Sequence, residues 1–266
     1  MTDHDSLNQS VIRLQESEAV PTVPRLSTLL MATADGELNR ELLTLITDGP
    51  PKTKTLADKR IAILSTNGVE ELELTVPMRW LKDRGAVVHL VSPKVNMGPN
   101  PFGSQMPDAV RTHVLTIRHM ENAGWVAIDR YLGEATAADY DAVVVPGGAW
   151  NPDTLRGDPS ARAFVTEALN AGKPMLAICH GPQLLISARL LRGRRVTGFW
   201  SIQIDLENAG ATVVDEPCVV DGNLITGRFP FDLPRCLRAF EQQLLGPMLP
   251  PHSSVLRGEG INSSSS

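Results

Sequence analysis

Lys173-Pro174-Met175-Leu176-Ala177-Ile178-Cys179-His180-Gly181-Pro182-Gln183 reads as a buried strand that turns straight into a helix. Gly172 and Pro174 end a preceding helix. Met175 to Ile178 is a short apolar run of the kind found in a strand covered on both faces. Gly181 opens an apolar helical segment, Leu184-Leu185-Ile186, that continues to about Leu191. A strand entering a helix through Cys-His-Gly has the form of a nucleophile elbow, which lifts the side chain at the bend above the sheet. The positive end of the following helix favours a thiolate at Cys179. The competing reading of Cys179 is a small buried hydrophobe, the usual fate of a free cysteine. His180 and Gly181 have no packing purpose at such a bend, and they favour the elbow.

Outward from this stretch, strands and helices alternate. Arg60 to Ser65 is an apolar strand ended by Asn67-Gly68. The acidic segment Val69-Glu70-Glu71-Leu72-Glu73-Leu74 leads to a helix through Trp80 and Leu81, with Pro77 near its start, where a missing donor is tolerated. Val87 to Val91 is a second strand, and Val126 to Asp129 another. Residues 92–123 read as an irregular excursion with at most short strands. Asp141 to Val145 runs into Pro146-Gly147-Gly148. Asn151-Pro152-Asp153 and Asp158-Pro159-Ser160 each place a capping side chain before a first-turn proline. A strand near Arg195, a helix from Ile202 to Ala209 and a hairpin over Val219–Ile225 with an Asp-Gly turn follow. Asp232 caps a last helix, in which Cys236 shares the apolar face of Leu233, Leu237, Phe240 and Leu244. This alternation predicts an α/β fold with a doubly wound, mostly parallel sheet flanked by helices, whose site lies at the carboxyl edges of the strands.

The flanks read differently. Residues 1–58 form an extension with a flexible beginning and one amphipathic helix over about 37–47, carrying Leu38, Leu42, Leu43 and Ile46 at helical spacing. That helix packs either on the main domain or on a neighbouring subunit. The main domain spans 59–246, and the serine-ended tail 247–266 is expected to be disordered.

A chain of 266 residues with 42% hydrophobic content can bury a full core. The net charge of -5 argues against nucleic acid as the main partner. Three cysteines with neither CxxC nor zinc spacing imply no disulfide framework and no metal. The amino terminus lacks the pattern of a signal peptide, and no apolar run approaches membrane-spanning length, so a reducing cytoplasm is the expected location.

Taken together, the acidic segment at 69–74, Pro146-Gly147-Gly148 with Asn151-Pro152-Asp153, the elbow and the late Thr226-Gly227-Arg228-Phe229-Pro230 resemble the DJ-1/PfpI family, of class I glutamine-amidotransferase-like (flavodoxin-like) fold. They occur in the family's order, and the match looks closest to the PfpI branch of intracellular proteases and stress proteins. The resemblance implies Cys179 as nucleophile and His180 as its proton-handling partner. It implies Glu70 as the carboxyl on the sulfur, protonated in a dry pocket. Asp153 matches the acid that reaches His180 of an adjacent subunit in PfpI-type oligomers, which implies a dimer or larger homo-oligomer. Read alone, Glu70 and Asp153 are also ordinary helix-start acids, a reading that fits Glu71 and Glu73 better. Gly147 and Gly148, with the His180 backbone, form a candidate oxyanion hole, and Trp200 a candidate pocket wall.

The resemblance implies no cofactor. It leaves three functions: a glyoxalase or deglycase acting on small reactive carbonyls, an intracellular peptidase, or a cysteine redox sensor. A glutamine amidotransferase needs a later His-x-Glu pair, which the lone later His252 does not supply.

Overall fold

The computed structural model describes residues 36–94, 112–119 and 121–246. The sequence readings for residues 1–35, 95–111 and the tail from 247 lie outside these.

Helix α1 (Glu37–Thr47) leads into β1 (Arg60–Leu64), β2 (Val69–Glu70), α2 (Glu71–Asp83) and β3 (Val87–Ser92). A hairpin of β4 (His113–Arg118) and β5 (Glu121–Ala127) follows, then β6 (Arg130–Tyr131), β7 (Ala142–Val145), α3 (Asn151–Gly157) and α4 (Pro159–Asn170). The chain continues through β8 (Met175–Ile178), α5 (Pro182–Ser187), β9 (Arg195–Val196), α6 (Gln203–Asn208) and β10 (Thr212–Val213). It ends with β11 (Val219–Asp221), β12 (Leu224–Gly227) and α7 (Leu233–Leu245).

Seven strands form the main sheet in the order β11-β12-β8-β7-β1-β3-β6. All neighbours are parallel except β11, which pairs antiparallel with β12. Side chains of β1 alternate between two apolar layers: Ile61 and Ile63 join α1, α2 and α7, while Ala62 and Leu64 join α3, α4, α5 and α6. Burial on both faces explains why β7 and β8 are continuous apolar runs rather than alternating ones. The doubly wound fold expected from the sequence is the one found.

Four local expectations are corrected. Helix α2 begins at Glu71, so Pro77 lies inside it. The proline lacks the N–H that would reach the Glu73 carbonyl one turn back, and packing of Leu72, Val76, Trp80 and Leu81 holds the helix through this gap. Within the presumed irregular excursion, β4 and β5 form a regular antiparallel hairpin whose first strand pairs with β2. The β11–β12 loop consists of Gly222 and Asn223, with Gly222 in the left-handed region at φ 58. Asp232 precedes α7 without a capping hydrogen bond, because its carboxylate is taken by the Arg228 backbone N–H at 3.0 Å and by the Arg228 guanidinium.

The amphipathic helix α1 packs on the main domain. Leu42 is fully buried in the layer that holds α7, with Leu45 and Ile46 beside it. Glu41 pairs with Arg238 of α7 at 3.1 Å, an exposed bridge worth little beside the apolar contact.

Candidate active site

Cys179 follows β8 with φ 60, a left-handed conformation uncommon for a residue with a Cβ. The bend is pinned from three sides. Cys179 N–H donates to Gly227 O at 2.9 Å, Phe199 N–H donates to Cys179 O at 3.0 Å, and Gly181 N–H donates to Ile178 O at 2.7 Å. The elbow therefore presents the sulfur at the carboxyl edge of β8, on the floor of a cavity of about 450 Å3.

The carboxyl that meets the sulfur belongs to Glu73, not to Glu70. Glu73 is fully buried, and its side chain is in hydrogen-bonding contact with Cys179. Its Oε2 accepts the Gly147 N–H at 2.7 Å, and its Oε1 is buried with no hydrogen-bond partner. Burial, reinforced by the charge of Glu70, pushes the Glu73 carboxyl up to about 8, so it holds a proton at neutral pH. The same burial works against the thiolate expected at Cys179. Burial pushes the Cys179 thiol up, an ionised Glu73 would push it further, and the Gly148 N–H opposes both in part. Helix α5 has only six residues, which gives it a weak dipole with which to resist.

Two glycines make this closeness possible. A Cβ on Gly147 would lie 2.7 Å from His180 N and 2.8 Å from both Cys179 Cβ and Glu73 Oε2. Gly148 sits at φ 94, where a Cβ would lie 2.2 Å from Gly68 O. The expected oxyanion hole changes membership accordingly. The Gly147 N–H is committed to Glu73, which leaves Gly148 N–H, already at the sulfur, and His180 N–H as the candidate donors.

His180 lines the cavity, half-buried, with its ring 4.7 Å from that of Phe199. Burial lowers its pKa, and a hydrogen bond to the Gln183 side chain opposes that shift. The imidazole thus engages Gln183, while the groups acting on the sulfur are Glu73, Gly148 and Glu70. Asp153 is exposed on α3 and is not a lining residue of the cavity. Trp200 does form its wall: the ring stacks 3.8 Å from Phe199 and stands edge-on to Phe229 at 6.4 Å, with 66% of the residue exposed.

Glu70 lines the cavity from another side, and its Oε2 accepts the His119 N–H at 2.8 Å. Sequence reading missed both Glu73 and His119 as site residues. Glu73 had a signal: it lies four and seven residues before Pro77 and Trp80, on the apolar face of α2, where an unpaired acid is out of place. His119 had none, since its place depends on a hairpin turn.

Fold and site together define an α/β protein with one cysteine on a strand–helix elbow beside a carboxyl that keeps its proton. The DJ-1/PfpI family model matches residues 59–243, and the chain belongs to that family. Protein/nucleic acid deglycase 2 of Escherichia coli (strain K12) is 38% identical over 188 residues, covering 70% of this chain and 96% of its own. General stress protein 18 of Bacillus subtilis (strain 168) is 35% identical over 177 residues, covering 66% of this chain and 92% of its own. Among solved structures, a two-domain protein from Anabaena variabilis with DJ-1/ThiJ/PfpI-like and ferritin-like domains superposes with a TM-score of 0.61 at 38% identity. The match covers 70% of this chain and 48% of that one, so this chain spans about half of the two-domain protein.

Proposed function

We propose that the chain is a cysteine-dependent enzyme acting on reactive carbonyls, of the deglycase or glyoxalase type, with Cys179 as nucleophile. The observation that carries this reading is the pairing of a left-handed Cys179 with a protonated, buried Glu73 at the floor of an aromatic-walled cavity. The sulfur attacks an aldehyde carbon, the C–S bond forms, and the carbonyl π pair moves onto oxygen. A protonated carboxyl serves both partners of this step: one oxygen gives its proton to the new alkoxide, while the other receives the proton leaving the sulfur. The product is a hemithioacetal, stabilised by N–H groups of Gly148 and His180. With methylglyoxal, a proton moves from the attacked carbon to the neighbouring one, giving a thioester, and water then releases lactate and the thiol.

The same features weigh against the sensor reading, because a thiol pushed above its ordinary value is a poor target for peroxide. The Escherichia coli relative is named for action on nucleic acid as well as protein; the net charge of -5 favours small carbonyls or protein adducts here. The fold contains no helix long and apolar enough to cross a membrane among the described residues.

Purified protein is expected to convert methylglyoxal to lactate and to lose this activity in Cys179→Ala. Protein that leaves methylglyoxal untouched but cleaves casein with the same dependence on Cys179 would replace this reading with the peptidase one. We also propose that Asp153, exposed on α3, completes the site by reaching His180 of a neighbouring subunit in a homo-oligomer. Mixing inactive Asp153→Ala and Cys179→Ala proteins then restores activity once subunits exchange; no recovery after proven exchange refutes the shared site.

A further inference from the structure

Two of the three cysteines lie outside the candidate active site, and the fold brings them together. Cys218 directly precedes β11, and Cys236 sits in the first turn of α7. Strand β11 pairs with β12 through Val219 and Thr226, and α7 packs on β12. The Cys236 sulfur lies 3.5 Å from Pro217 O and 3.9 Å from Thr226 O. It therefore reaches the residue before Cys218 and the strand partner of the residue after it. The two thiols are themselves in hydrogen-bonding contact.

The pair is unequal. Cys236 is fully buried, whereas Cys218 is partly exposed and packs at the margin of the apolar layer that holds Cys236. The hydrogen bond from the Cys236 thiol holds Cys218 below the usual thiol range, against its burial, and the charges of Arg235 and Arg238 act in the same sense. The same bond, with burial, pushes Cys236 up. The thiolate is the attacking form of a cysteine, so reactivity falls on the accessible member while the buried one keeps its proton. Cys179 has the reverse arrangement, a buried thiol beside a carboxyl.

The surroundings leave room for a bond between the two sulfurs. A Cβ on residue 227 would lie 2.7 Å from the Cys236 sulfur, so Gly227 gives that sulfur its space. Val214 to Cys218 carries neither helix nor strand, so Cys218 can close a small gap without breaking a ladder.

We propose that Cys218 and Cys236 form a reversible dithiol–disulfide site, separate from Cys179, that reacts with low-molecular-weight disulfides. The Cys218 thiolate attacks one sulfur of the small disulfide, whose S–S bond breaks and releases one thiolate. The Cys236 sulfur then attacks the mixed disulfide at Cys218, expels the second thiolate and passes its own proton to it. The protein gains one S–S bond, and the small disulfide is reduced to two thiols. Gly227, against which the Cys236 sulfur packs, is also the residue whose carbonyl holds the Cys179 N–H at 2.9 Å. The pair thus stands directly behind the elbow, and its oxidation leaves the nucleophile free.

The test incubates reduced full-length protein with oxidised glutathione, quenches it with iodoacetamide in denaturant and digests it with trypsin, which cuts between the two cysteines after Arg228 and Arg235. Wild type is expected to yield the Cys218 and Cys236 peptides joined by a disulfide that dithiothreitol releases, with Cys179 alkylated. In Cys236→Ala the reaction stops with glutathione on Cys218. In Cys218→Ala, Cys236 stays a free thiol. Limiting N-ethylmaleimide on native wild type, which needs no variant to fold, labels Cys218 about tenfold faster than Cys236 or Cys179. Wild type that keeps both thiols free, or that joins either of them to Cys179 instead, overturns the site. Equal labelling of the three cysteines, or glutathione on Cys236 in Cys218→Ala, overturns the roles assigned to its two members.

Discussion

Glu70 and Glu73 stand three residues apart in one acidic segment, and the fold gives them opposite work. Glu73, in the first turn of α2, points into the sheet edge, fully buried, and meets a sulfur. Glu70 sits just before the helix, where the chain is still extended, and its carboxylate turns to a backbone N–H on the hairpin. One residue keeps a proton beside the nucleophile; the other accepts a hydrogen bond from the cavity rim. A single helix boundary separates them, because only a helical residue at position 73 shares a face with Val76, Pro77 and Trp80. Residue type alone does not assign a carboxylate its role; the helix start does.

The contrast can be broken most directly by activity. Glu73→Gln keeps the shape but cannot both give and take a proton, and it is expected to lower kcat for carbonyl turnover by about 10²–10³-fold. Glu70→Gln, which can still accept the His119 N–H, is expected to cost about tenfold or less. Equal losses would erase the distinction.

Stability against pH separates the pair next. A carboxyl whose folded-state pKa is raised from 4.5 to about 8 binds its proton more tightly in the folded than in the unfolded chain. Its stabilising contribution is therefore complete below about pH 4.5 and is lost as pH rises through about 8. Urea denaturation of wild type should show stability falling across this window by several kcal/mol relative to Glu73→Gln, which lacks the titrating group. A flat difference would show that Glu73 is ionised in the fold.

The smallest effect belongs to the ion pair of Arg118 on β4 with Glu71 of α2. Arg118 and Glu71 are partly exposed, so Arg118→Ala should cost about 1 kcal/mol or less in thermal denaturation.

Much of this architecture was legible because its signals are local. Met175 to Ile178 followed by Cys179-His180-Gly181 needs no tertiary knowledge to be read as an elbow, and the apolar runs of β1, β7 and β8 report burial on both faces. The periodicity of Leu42 and Ile46 likewise predicted α1, although only the fold shows which surface it covers. What escaped depends on competing local rules. Proline is favoured at the start of a helix, so Pro77 drew the boundary too late and hid the inward face of Glu73. Glu121-Asn122-Ala123-Gly124 lacks the alternation of a half-buried strand, since β5 is mostly solvent-facing, and the hairpin was invisible for that reason. The burial that works against a thiolate at Cys179 escaped because a sequence shows the helix dipole but not the depth of the surrounding protein.

Helix α1 precedes the family-matched region, 59–243, yet it rests on the turn of Pro230, Phe231 and Asp232 as well as on α7. Pro230 and Phe231 are wall residues of the cavity. The lead segment is thus a buttress behind the aromatic wall. A version trimmed to the family boundary would retain every group that touches the sulfur and lose the brace that sets how far the opposite wall can yield.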